Sequence, residues 1–350
     1  MDLKRRDLLK VGTTAAMGSL MATSASPAFS QTSEPVQVQS LSGQMGYRII
    51  NFIPKGASKS RLGLVSDEGL IVDISAEASR QKMKLAFDGT SMISLVSSGD
   101  KGVAQLGNLM KGKGNQPYSV NQVKILSPIP KPQSNIYCVG WNYLDHFDEG
   151  KDVRADQSVK EYPQVPVLFT KGTQTMNGPF DPIPYNGSFS TQIDWEAELA
   201  VIIGKKGINI PESQAMDYVF GYAAYNDTTA RDVQQKRHSG QWFKGKSLDG
   251  HGPMGPWIVT AGGLVLDNTR VICRVNGVEK QNGSYKQMYF KIPAIIAELS
   301  KSLTLLPGDI IATGTPSGVG FSRKPQEFLK PGDVMETEIT GIGIIRNKIV

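Results

Sequence analysis

The chain has 350 residues, with 38 Lys and Arg against 32 Asp and Glu, a formal net charge of +6 and 39% hydrophobic residues. That length holds one large domain or two smaller ones with ample core. A mild basic excess without a dense Lys/Arg stripe argues against nucleic acid as a partner. Two cysteines, Cys138 and Cys273, are no disulfide framework, and both are expected to be buried small side chains.

At the N-terminus Lys4, Arg5, Arg6 and Lys10 against Asp2 and Asp7 account for +2 of the charge, leaving +4 for the remainder. The weakly apolar run 11–23 is too short and interrupted to span a bilayer as a mature helix. Ala28 and Ser30 then place small residues where a signal peptidase reads. Residues 1–30 are expected to be a secretory signal peptide, and the order Arg5, Arg6, Asp7, Leu8, Leu9, Lys10 resembles the twin-arginine type. An exported, periplasmic protein follows, with no stable membrane anchor after signal removal. An exporter of that type accepts folded chains, which suits an enzyme that loads its metal first.

Residues 31–43 form a polar, flexible lead-in, and 44–123 a small N-terminal β-containing domain. Within it 47–52 alternates as a strand, 61–65 and 69–74 form a hairpin around Ser66, Asp67 and Glu68, and 85–109 carries helical spacing in parts. Residues 111–117 are an exposed turn or linker. From 124 to 350 short apolar runs alternate with Gly, Pro and Asn turns. Strands are expected at 135–139, 165–170, 195–203, 218–225, 257–260, 271–275, 309–313 and 334–339, and helices at 229–236 and 289–302. This is a β-rich α+β pattern rather than an alternating βαβ one.

The chemistry concentrates in a few segments. Residues 193–199 alternate strictly, so one strand would carry Asp194, Glu196 and Glu198 on one face and Ile193, Trp195, Ala197 and Leu199 on the other. Several carboxylates in one pocket are strained without a positive charge, and a hard divalent cation is the economical answer. His146 lies three residues before Glu149; in a helical turn the two touch, and a carboxylate beside an imidazole suits a base. Asp227 stands between a buried strand and a helix start, as a helix cap or a third oxygen ligand. Lys246 follows in a segment with Lys244, as a substrate contact or a surface lysine. The glycine-rich stretch 308–320 lacks the ending of a phosphate loop, and Pro316 removes an amide. A tight loop offering Thr315 and backbone amides to a carboxylate is the better reading.

Taken together, these segments resemble the fumarylacetoacetate hydrolase family. Asn142, Tyr143, His146 and Glu149 fit its His-Glu segment, and Asp194 to Leu199 its metal-binding strand. Asn226, Asp227, Ala230, Arg231, Asp232 and Gln234 fit the segment supplying a metal-binding Asp. Lys246, Ser247 and Asp249, the 253–257 run and the 313–320 run complete the pattern. The resemblance implies a mixed β-sandwich roll and Glu196, Glu198 and Asp227 as ligands of Mg²⁺ (Mn²⁺ or Ca²⁺ in its place). It implies His146, Glu149 and Lys171 as catalytic residues and Tyr143, Arg231, Gln234, Lys246 and Thr315 as substrate contacts. A homodimer and a small anionic 2-oxo acid substrate are implied too. Asp194 is not a usual ligand in the family and is expected to stand behind the ligands.

The expected activity is metal-dependent hydrolysis of a carbon–carbon bond in an acylpyruvate or β-diketo acid such as fumarylacetoacetate or fumarylpyruvate. The same metal–enolate chemistry serves an isomerase or hydratase, a decarboxylase, or a ureidoglycolate-type lyase. A non-catalytic oxo-acid binder is the remaining alternative, and a positioned base argues against it. Most relatives are cytosolic, so the signal peptide is a departure from the family.

Overall fold

The computed structural model describes residues 35–43, 45–112, 118–154 and 160–350. The expected signal peptide, most of the linker 111–117 and part of the lead-in lie outside them. The strands are β1 (Arg48–Pro54), β2 (Arg61–Val65), β3 (Leu70–Asp73), β4 (Tyr118–Ser119), β5 (Val123–Leu126), β6 (Ile136–Gly140), β7 (Val167–Lys171), β8 (Met176–Asn177) and β9 (Ile193–Asp194). They continue as β10 (Ala197–Ile203), β11 (Val219–Asn226), β12 (Thr229–Ala230), β13 (Gly252–Thr260), β14 (Arg270–Val275), β15 (Val278–Ser284), β16 (Ile310–Ala312), β17 (Val334–Ile339) and β18 (Gly343–Lys348). The α-helices are α1 (Ile74–Arg80), α2 (Met92–Ser97), α3 (Gly99–Lys111), α4 (Leu144–Glu149), α5 (Arg231–Lys236), α6 (Phe243–Lys246) and α7 (Ile292–Leu299).

One large mixed sheet runs β4-β3-β2-β1-β13-β11-β10-β16-β6-β7, and a second, antiparallel sheet runs β15-β14-β17-β18. β10, β11 and β13 of the first pack on β14, β17 and β18 of the second. The period of two along β10 divides its side chains between two cores. Ala197, Leu199, Val201 and Ile203 face the second sheet, whereas Ala200 and Ile202 join the core that includes Leu95, Leu106 and Leu109 of α2 and α3. Burial on both faces explains why this strand reads as a continuous apolar run.

The change of character near residue 123 is not a break in hydrogen bonding. β1 pairs with β13 through Arg48↔Val259 and Ile49↔Ile258, and with β5 through Asn51↔Leu126 to Pro54↔Val123. Both cysteines are buried and free.

Two expected elements differ. The strand at 195–203 is interrupted: β9 ends at Asp194, pairs with β12, and β10 begins only at Ala197. Side-chain amides stand in for the missing ladder there. Asn226 Oδ1 accepts from Glu196 N at 3.1 Å, and Gln281 Oε1 from Ala197 N at 3.0 Å. β15 and β18 were not expected, because VEKQNGS and GIIRNK carry the polar residues of sheet-edge strands.

Asn142, fully buried after β6, fixes the neighbouring segments. Its Nδ2 donates to Thr313 O (2.7 Å) and Phe290 O (3.0 Å), and its Oδ1 accepts from Phe290 N at 2.7 Å. Asn142→Ala leaves these groups unpaired and is expected to cost about 3 kcal/mol. Denaturant unfolding at unchanged m-value checks this; a loss below about 1 kcal/mol would show that the three segments hold without it.

Candidate active site

The end of β10, the β11–α5 junction, α4, α6 and the loop after β16 converge on one cavity. Glu196, Glu198 and Asp227 are buried, and one oxygen of each lies within 4.8 Å of the others. Around them stand three buried cations. Lys246 Nζ lies 2.5 Å from Glu196 Oε2 and 2.8 Å from Asp227 Oδ2, and Arg231 Nη2 lies 2.7 Å from Glu196 Oε1. Lys171 Nζ, which donates to Thr228 O at 3.0 Å, is 2.7 Å from Asp227 Oδ1 without hydrogen-bond alignment.

Burial works against charge on every carboxylate here, and the neighbours decide the outcome. At Glu196 the nearby Lys246 and Arg231 overcome burial and bring the carboxyl down to about 2. Glu198 has burial, then Asp227 and Glu196, pushing its carboxyl well above the usual range. Its Oε2 accepts from Gly314 N at 2.8 Å, a smaller effect.

This donor set fits a hard divalent ion. It is all oxygen and buried, Asp227 Oδ1 lacks an aligned donor, and burial beside Asp227 and Glu196 keeps Glu198 uncharged until a cation joins it.

α4 brings His146 and Glu149 together, with Nδ1 to Oε1 at 2.7 Å. Glu149 Oε2 accepts from Gly318 N at 2.8 Å, and Ser317 Oγ donates to Asp145 Oδ2 at 2.8 Å, so α4 is tied to the loop after β16. A carboxylate accepts only, so Nδ1 carries the proton and Nε2 is the basic nitrogen. His146, Arg231, Gln234, Lys246 and Thr315 line the cavity with Glu196 and Glu198. Lys171, Asp227 and Glu149 stand behind that lining.

Two expectations change. Tyr143 does not reach the cavity lining: its ring is fully buried in the core, and its hydroxyl has no hydrogen-bond partner among the described residues. Thr315 lines the cavity, but its hydroxyl donates to Ala197 O at 2.9 Å and accepts from Gln281 Nε2 at 2.7 Å. The loop amides do meet carboxylates, as the sequence suggests, but these belong to the protein: Glu198, Glu149 and, through Gly320 N at 2.7 Å, Asp194. Asp194 stands outside the cluster of Glu196, Glu198 and Asp227, behind the ligands as expected. Its oxygens take Arg231 Nε (2.7 Å) and the amides of Trp195, Gly320 and Phe321.

Sequence reasoning missed Arg154, Trp141, Trp242 and Phe169, which also line the cavity. Arg154 stacks its guanidinium 4.1 Å from the Phe147 ring centre and 5.2 Å from that of Trp141. No spacing rule points to it, because it follows α4 in a loop.

Residues 135–350 match the profile of the fumarylacetoacetate (FAA) hydrolase C-terminal region. The chain belongs to the fumarylacetoacetate hydrolase family. An oxaloacetate tautomerase of Bacillus subtilis is 42% identical over 296 residues, covering 82% of this chain and 95% of that protein. A solved fumarylacetoacetate hydrolase from Exiguobacterium antarcticum is 35% identical with a TM-score of 0.71, covering 87% of this chain and 99% of that one. The maleylpyruvate hydrolase of Sphingobium sp. SYK-6, solved with manganese(II) and pyruvate, is 27% identical with a TM-score of 0.66, covering 87% and 98%.

The raised carboxyl of Glu198 gives a pH dependence with a definite sign. Below the ordinary carboxylate range the folded and unfolded states both hold the proton. As pH rises through that range the unfolded carboxyl ionises while the buried one keeps its proton, so the metal-free fold loses stability. A divalent ion at about 100 times its Kd adds about 2.7 kcal/mol. Thermal unfolding across pH, in EDTA and in Mg²⁺ or Mn²⁺, is expected to show both effects in the native protein. Glu198→Gln should flatten the EDTA profile and abolish the metal response; a metal response equal to that of the native protein would remove Glu198 from the ligand set.

Proposed function

We propose that this protein is a divalent-metal-dependent oxaloacetate tautomerase, interconverting the keto and enol forms of a small 2-oxo dicarboxylic acid. The observation that carries the reading is His146, backed by Glu149 at 2.7 Å, lining the same cavity as Glu196 and Glu198. The Bacillus subtilis relative bears the same activity in its name.

Glu196, Glu198 and Asp227 would hold a Mg²⁺ or Mn²⁺ ion, which would supply the electrophile that acidifies the carbon beside the 2-oxo group. Arg231 and Lys246 attract the substrate's carboxylates, and Gln234 adds a neutral hydrogen-bonding group. Nε2 of His146 removes the proton from C3, and Glu149 stabilises the imidazolium that forms. Transfer of that proton from the His146 imidazolium to the C2 oxygen, directly or through water, completes the enol and regenerates the base, and the reverse sequence restores the ketone. Lys171 holds Asp227 from behind.

Carbon–carbon hydrolysis of an acylpyruvate is the second reading, favoured by the likeness to the maleylpyruvate hydrolase. There the same base would activate water rather than take a carbon-bound proton.

The test follows loss of enol absorbance from oxaloacetate, with divalent metal and with EDTA, beside a panel of acylpyruvates. Metal-dependent ketonisation without pyruvate release supports the tautomerase; pyruvate from the panel with oxaloacetate untouched overturns it in favour of the hydrolase. His146→Asn is expected to lower turnover by roughly 10²–10⁴ with metal content unchanged. Undiminished turnover would remove His146 from the mechanism.

We also propose that the protein acts outside the cytoplasm after passage through a twin-arginine exporter, on the strength of Arg5 and Arg6. Replacing both by lysine is expected to leave unprocessed precursor in the cytoplasmic fraction of a bacterial host. Unchanged processing would exclude that route.

A further inference from the structure

We propose that Trp195 is a positioning residue for the His146–Glu149 pair, acting through the backbone of Gly318, whose carbonyl and amide lie on either side of its Cα. The inference rests on the proposed role of that pair. Trp195 lies between Asp194 and the candidate metal ligand Glu196, in the gap between β9 and β10, and its ring is buried in the same core as Ala197 and Leu199. Its indole Nε1 donates to Gly318 O at 3.1 Å. The amide of the same glycine donates to Glu149 Oε2 at 2.8 Å, and Glu149 Oε1 meets His146 Nδ1 at 2.7 Å. Three consecutive hydrogen bonds thus join the metal-ligand segment to the basic ring.

The junction has little freedom. Gly318 has φ +107°, and a Cβ there would lie 2.1 Å from Lys280 O, so the peptide can be held in this pose only as glycine. Arg323 supports it from the outer side, with Nε donating to Gly318 O at 3.3 Å and Nη2 to Lys280 O at 2.8 Å. Arg323 and Lys280 also lie 6.0 and 5.8 Å from the Trp195 ring. A shift of the Gly318 backbone that carries its amide away would release one oxygen of Glu149, and that carboxylate fixes which nitrogen of His146 is basic.

Two readouts separate positioning from general structural support. The chain has three histidines, so side-chain nitrogen NMR can follow His146 with His238 and His251 as internal controls. Trp195→Phe keeps most of the buried ring but removes the donor. It is expected to turn the His146 signals from one fixed tautomer into an exchanging average while the other two stay unchanged. Arg323→Leu, at a partly exposed position, should produce a smaller change in the same direction.

In turnover, Trp195→Phe is expected to lower kcat about tenfold with little change in KM, within the ~10²-fold that a 1 Å misplacement costs. In a His146→Asn background the same substitution should cost less than about twofold. His146 signals unchanged in both variants, or equal losses of kcat in both backgrounds, would overturn the proposal. If oxaloacetate is not turned over, the proposed function fails, and the ring signals still decide the positioning role.

Discussion

Backbone amides of one glycine-rich loop hold three carboxylates with different duties, and the site depends on that arrangement. Gly314 N takes Glu198, Gly318 N takes Glu149, and Gly320 N takes Asp194. Each carboxylate then faces its own partner: the acidic cluster, His146, or Arg231. The loop has little room to move. A Cβ on Gly314 would come within 2.7 Å of Asn142 Cβ, and the hydroxyl of Thr315 is bonded to Ala197 O. Amide donors are fixed dipoles that need no counter-ion, so they orient charged groups without adding charge to the cavity.

Charge is balanced separately. Asp194, Glu196, Glu198 and Asp227 are four buried carboxylates, and Lys171, Lys246 and Arg231 are three buried cations. Arg231 bridges Asp194 and Glu196, Lys246 bridges Glu196 and Asp227, and Lys171 adds to Asp227. Glu198 is in no such ion pair among the described residues, and burial, then the nearness of Asp227 and Glu196, outweighs Lys246 and keeps its proton bound. A buried charge without compensation costs several kcal/mol, so one proton or one metal ion must occupy this corner of the site.

Much of this was legible in the sequence because it depends on residue type and short spacing. The i, i+3 step from His146 to Glu149 works as soon as a helical turn forms, and α4 supplies one. Glu196 and Glu198, with one residue between them, both reach the acidic cluster, as the spacing suggests. The same alternation misled at Asp194. Period-two patterning says nothing of a strand that stops for two residues, and here Asn226 and Gln281 from distant strands replace the ladder. Tyr143 sits beside the right residues in the chain yet turns into the core, a matter of packing rather than spacing. Gln281 was hidden in a strand too polar to be recognised, although its side chain braces both Ala197 and the loop at Thr315 and Pro316.

The pairing of β1 with β13 sets where this protein can be cut. The family profile begins at residue 135, but the large sheet does not end there. A fragment starting at that point would bare one side of β13, a strand buried along its whole length, with unpaired amides and carbonyls beside exposed Ile258 and Val259. Such an edge invites pairing with another chain. The N-terminal strands therefore cover this edge of the large sheet, which extends beyond the segment matched by the family profile.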